Sequence, residues 1–125
     1  MLSADVNLAP VGTVPVSYRV YESLQQGSVP VTILDQSAKT FCPYKGTRAD
    51  LGNRSNNIGW EVPGTDRELG KLAQQLDTIT SEEVRGMRRA VMALRDSHFT
   101  PAGSMAQLKR WFVDPSPMGS DVRCR

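Results

Sequence analysis

Apolar residues fall in short, separated groups, and their spacing changes along the chain. Val6 to Ala9 has the length of a short buried strand and stops at Pro10 and Gly12, which with Pro15 predict a loop. A helix is predicted next. Ser17 is placed to cap it, Tyr18, Tyr21 and Leu24 recur at helical spacing, Glu22 lies in the second turn, and Gly27 is positioned as a left-handed C-terminal cap. Val29-Pro-Val-Thr-Ile-Leu34 is rich in β-branched residues and continuous rather than alternating, as in a strand buried on both faces. Strand, loop, helix and strand in this order form the βαβ unit of a parallel sheet.

The stretch 35–57 is polar and contains glycine, which predicts a loop with a short helix around Thr47 to Leu51, and Ile58-Gly-Trp-Glu-Val62 predicts a brief strand. Thr65 with Glu68 forms a capping-box pattern ahead of Leu69, Leu72, Ala73 and Leu76. Thr80 with Glu83 repeats it ahead of Val84, Met87, Val91 and Leu94, so two amphipathic helices are expected at 65–77 and 80–96. A last helix is expected from Ser104 to Val113, with Met105, Leu108, Trp111 and Phe112 as its apolar face and Pro115 as its stop. The pattern predicts a small three-layer α/β domain, a parallel sheet flanked by helices, over residues 1–113. The proline-containing polar tail 114–125 is predicted to be disordered.

Composition narrows the function classes. The chain has 125 residues and is 39% hydrophobic, which suits one domain with a single modest core. Lys+Arg number 15 against Asp+Glu 13, a net charge of +2 spread along the chain, so no basic footprint for nucleic acid is expected. No apolar run has the length of a membrane span, and the first residues lack the basic and apolar regions of a signal peptide. Cys42 and Cys124 are far apart and read as unrelated thiols, with no zinc-site spacing.

The stretch with most chemistry begins at Ser17. Ser17, Arg19 and Glu22 put a hydroxyl, a guanidinium and a carboxylate at the start of a helix that follows a strand. The free N–H groups of a first helical turn and the helix dipole favour an anion such as a diphosphate. Arg19 would add a charge-assisted hydrogen bond, and Glu22 would accept from the hydroxyls of a ribose. The competing reading is a plain cap at Ser17 with an Arg19–Glu22 ion pair worth about 0.2–0.5 kcal/mol. Spacing alone leaves both open.

The order of residues adds to this. Leu8-Ala-Pro-x-Gly12, then Ser17-x-Arg19-x-x-Glu22-x-Leu24-x-x-Gly27-x-x-Pro30-Val31, resembles the sugar-nucleotide motif of the exostosin family of glycosyltransferases. Looser similarity continues through Asp35 and Pro43-Tyr44 to Met87-Arg88, Phe99 and the terminal apolar helix. The resemblance implies the C-terminal, Rossmann-like half of a two-lobed GT-B enzyme that transfers a sugar, in most relatives from a UDP-sugar, to a glycan acceptor hydroxyl. Ser17 and Arg19 would then lie by the diphosphate, Glu22 would hold the ribose, and Gly12 would let its loop approach the ligand. Asp35, by its place at the end of a parallel strand, is open to a ligand contact or to a turn or cap role. The loop Gly12-Thr-Val-Pro-Val-Ser17 departs from the more polar, often basic stretch of relatives.

With no Asp-x-Asp motif, no metal or other cofactor is expected, and the helix dipole and Arg19 would stabilise the leaving diphosphate. The general base would come from an N-terminal lobe that 125 residues do not hold, so the chain is expected to be inactive alone and to leave an apolar surface or its C-terminal helix without full cover. The family also implies a Golgi membrane location. The alternatives are a non-catalytic nucleotide-binding or interaction module, or a truncated product without activity. His98, the sole histidine, is assigned a cap or surface role, Arg85, Arg88, Arg89 and Arg95 a solvated helical face, and Lys45 and Arg48 an exposed loop.

Overall fold

The computed structural model describes residues 5–10, 17–34 and 44–114. They form an α/β fold with a small three-stranded parallel sheet and helices on both faces, compatible with a Rossmann-like layout. Strands β1 (Val6–Pro10), β2 (Val29–Leu34) and β3 (Trp60–Pro63) lie in sequence order, with Leu8 opposite Val31 and Val31 opposite Trp60. Helix α1 (Tyr18–Gln25) links β1 to β2. Helices α2 (Asp66–Thr78), α3 (Ser81–Leu94) and α4 (Pro101–Val113) follow β3, with a π-helical turn at Arg95–Phe99 between the last two.

Alternation along the strands assigns the two faces. Ala9 on β1 packs with Val20 and Leu24 of α1, Val91 and Leu94 of α3, and Phe99 of the π-turn. On the opposite face Val31 and Val62 pack with Leu72 of α2, flanked by Val6, Trp60 and Leu76. Burying a side chain such as Leu24 or Phe99 contributes about 1.5–3 kcal/mol, and both are almost fully enclosed. Leu8, on the same face at the β1 edge, stays 55% exposed.

The local signals mostly act as their chemistry dictates. Gly27 takes φ +75, its N–H reaches the Leu24 carbonyl, and the Ser28 N–H reaches Ser23, the paired bonds of a Schellman cap. A Cβ there would come within 2.5 Å of Met92 Sδ, the end of a flexible, exposed side chain that can move aside, so backbone conformation is what selects glycine. Thr80 and Glu83 form a full capping box at α3. Thr65 caps α2 through the Glu68 N–H, but the Glu68 carboxylate bonds Lys71 at 2.9 Å instead of turning back.

Several expectations are corrected. The short helix falls at Arg54–Asn56 rather than at 47–51, because Asn53 caps it there while 44–53 forms successive turns. Tyr18 is 77% exposed, and the buried stripe of α1 is Val20, Ser23 and Leu24. Helix α4 starts at Pro101, not Ser104, since Thr100 caps it and proline suits the first helical position. Its expected apolar face is turned outward: Met105, Leu108 and Phe112 are exposed, while Gly103 and Gln107 are buried against the π-turn and Trp111 is half-buried. Arg88 is not merely solvated. It bonds Asp5 Oδ1 at 2.6 Å and the Gly27 carbonyl at 3.1 Å, tying α3 to the ends of the βαβ unit.

Among the described residues no helix is long and apolar enough to cross a membrane. Gly12, Asp35, Cys42 and Cys124, and the tail beyond Asp114, lie outside the described residues.

Candidate functional site

In a parallel βαβ unit the connecting helix starts at the C-terminal ends of the strands, so the first turn of α1 stands there beside β1 and β2. Ser17 occupies the capping position in an extended conformation, φ −97 and ψ 118, and its carbonyl accepts from the Val20 N–H. Its side chain, nearly buried, makes no capping hydrogen bond, against the simple cap expected from sequence. The first turn also carries no acidic residue. Among the described residues the Tyr18 and Arg19 N–H groups thus have neither a hydroxyl nor a carboxylate of their own helix as a cap, at the positive end of the helix dipole.

Arg19 and Glu22, three apart, share one side of α1, and both are exposed. No ion pair joins them: the ion pairs among the described residues are Lys71–Glu68, Arg85–Glu82, Arg89–Glu82 and Arg88–Asp5. The structure brings Ser17, Arg19 and Glu22 onto one helix end, while Gly12 and Asp35 lie outside the described residues. Sequence reasoning missed Thr32. It lies on the α1-facing side of β2, opposite Ala9, with its hydroxyl buried and without a partner, as is the side-chain amide nitrogen of Asn7 on the same face. A buried polar group left unpaired costs about 1–3 kcal/mol.

A second group of residues forms under α4. A pocket of about 630 Å³ is lined by Tyr44, Arg48, His98, Trp111, Lys109 and Arg110, with Asp114 also on its wall. His98 is 8% exposed, not a surface residue, and its Nδ1 lies 2.7 Å from Ser97 Oγ. The π-turn holds it because Tyr44 Oη and Ser104 Oγ donate to the His98 carbonyl at 2.9 and 3.0 Å, and Gln107 Nε2 donates to the Ser97 carbonyl at 2.8 Å. Burial, then the charge of Arg48 and more weakly that of Arg110, pushes the imidazole below its ordinary pKa of 6.5, against a bond to the Leu94 backbone. Next to it Tyr21 is pushed up to about 12, first by burial and then by Tyr44, so that phenol stays neutral.

Comparison with family models, curated proteins and solved structures finds no match. The geometry therefore stands by itself. At the α1 end it can neutralise an oxyanion with N–H groups and one guanidinium, and it presents one carboxylate for hydroxyl donors. Among the described residues no group of three or more His, Cys, Asp or Glu side chains could hold a metal ion.

Proposed function

We propose that the chain is a nucleotide-sugar-binding lobe of an exostosin-like, GT-B glycosyltransferase, with the first turn of α1 as the diphosphate site. The observation that carries the reading is the start of α1, where among the described residues Ser17 makes no side-chain cap and Arg19 no ion pair, in the order of residues that resembles the family motif. Two features support it. Strand β1 is a sheet edge with Leu8 exposed, and in the strand order 3-2-1-4-5-6 a further strand would add beside β1 to make the nucleotide crevice at its C-terminal end. The outward stripe Met105, Leu108 and Phe112 on α4 is the kind of apolar surface that a second lobe would cover.

In this reading Arg19 and the helix dipole stabilise the diphosphate as it leaves, without a metal, and Glu22 accepts hydrogen bonds from the ribose hydroxyls. UDP is the expected nucleotide. The base that deprotonates the glycan acceptor belongs to the other lobe, so the lone chain transfers no sugar. A Golgi membrane location follows from the same resemblance.

Calorimetric titration of UDP and uridine tests the site. Arg19→Ala is expected to weaken UDP more than uridine, and Glu22→Ala to weaken both, each by roughly ten- to a hundredfold for a lost charged hydrogen bond. Equal UDP affinity in wild type and both variants would remove the assignment.

A further inference from the structure

The pocket under α4 is distinct from the start of α1 and shares none of its residues. Its floor is aromatic: the Tyr44 and Trp111 ring centroids lie 5.5 Å apart at 49°, and Tyr44 meets His98 edge-on at 5.5 Å. Its rim is cationic, with Arg48 from the loop before β3 and Lys109 and Arg110 from the last turns of α4. None of these three cations takes part in an ion pair among the described residues. About 630 Å³ lies within the roughly 300–1,000 Å³ range of small-molecule sites.

Charge narrows the ligand. Burial and Arg48 hold His98 toward its neutral form, and among the described lining residues three cations face one carboxylate, Asp114. A phosphate monoester carries about −1.5 to −2 at that pH, with three strong acceptor oxygens for guanidinium and ammonium donors. Tyr44 and Trp111 put two aromatic rings in the wall beside these cations, a lining that favours an aryl or heteroaryl phosphate over a bare anion.

We propose that this pocket binds a flat-ring organic phosphate, the phosphate held by Arg48 and Lys109 and the ring lying against Trp111. The site is independent of the start of α1 and stands whether or not UDP binds there.

Phenyl phosphate is the probe, and His98, the only histidine of the chain, is the reporter. In imidazole NMR, phenyl phosphate is expected to move the His98 resonances and raise its titration midpoint, because a bound dianion favours the charged ring. Arg48→Ala and Lys109→Ala, both at exposed side chains, should each weaken binding by about tenfold or more. Phenol and inorganic phosphate, each lacking half of the ligand, should bind more weakly, whereas Arg19→Ala and Glu22→Ala should leave phenyl phosphate affinity unchanged. The proposal is overturned if His98 does not respond to millimolar phenyl phosphate or if Arg48→Ala and Lys109→Ala bind like wild type. Binding of phenol or inorganic phosphate as tight as that of phenyl phosphate, or loss of binding in Arg19→Ala, would overturn it too.

Discussion

The start of α1 and the pocket under α4 both offer positive charge to a ligand, and they hold it in different ways. Arg19 and Glu22 are exposed on a helix whose own N–H groups are the fixed part of the site, and neither side chain forms an ion pair among the described residues. Under α4 the fixed part is a network: Tyr44, Ser104 and Gln107 hold the π-turn carbonyls, His98 is enclosed, and the cations ring an aromatic floor. Around the enclosed His98 interactions act in a lower effective dielectric than at the α1 end, and damage to packing reaches them directly. One site is separable from stability and the other is not.

Phe99→Ala tests that difference most severely. Phe99 is 1% exposed, packs in the core with Leu24 and Val91, and meets Tyr44 edge-on at 5.9 Å. Its loss is expected to cost about 3–5 kcal/mol in urea unfolding and to disorder the pocket. A cost below about 1 kcal/mol would show that this ring does not anchor the core between α1 and α3.

Gly103→Ala is the sharper cut. A Cβ at Gly103 would come within 2.5 Å of the Asp96 carbonyl and 2.8 Å of the His98 nitrogen, both backbone atoms that cannot swing aside. Destabilisation of about 1–3 kcal/mol is expected from the overpacking, with the His98 NMR environment changed and the Ser17 and Arg19 amides unchanged. Equal disturbance at both places would mean that the two sites are one cooperative unit.

The residues at the start of α1 can be read together from the sequence, and those of the pocket cannot. The βαβ unit is local: Pro10, Gly27 and the continuous apolar run at 29–34 each specify their own few residues, and Ser17, Arg19 and Glu22 are neighbours on one helix. Thr80 with Glu83 announced α3 in the same way. The pocket joins Arg48 to His98 and Trp111 through contacts that no spacing rule encodes, and His98 looked exposed because nothing nearby in sequence predicts the Tyr44 bond that encloses it. Helix α4 misled in another way. Its apolar spacing was real, but Gly103 lets the opposite side approach the π-turn closely, so Gln107 is buried and Phe112 is not. Thr32, inside an apolar run, carried no sign that its hydroxyl would lack a partner.

The pH response should be the smallest effect. His98 is surrounded by Tyr44, Arg48, Lys109, Arg110 and Asp114, with Arg95 and Asp96 on its own turn, and its folded pKa lies below the ordinary 6.5. The unfolded chain therefore takes up the proton first as the pH falls, so this contribution to stability is complete above about 6.5 and is lost as the pH drops through the folded value. Melting temperature is expected to decline between pH 7 and pH 5 in wild type and to decline less in His98→Gln. Identical profiles would place His98 in solvent.

The central claim concerns the start of α1, and amide NMR during a UDP titration tests it most directly. Saturable shifts are expected to concentrate at Ser17, Tyr18 and Arg19, much reduced for uridine, because the diphosphate is what meets the N–H groups at the start of the helix. Shifts that leave these amides in place, or that are the same for UDP and uridine, would contradict it.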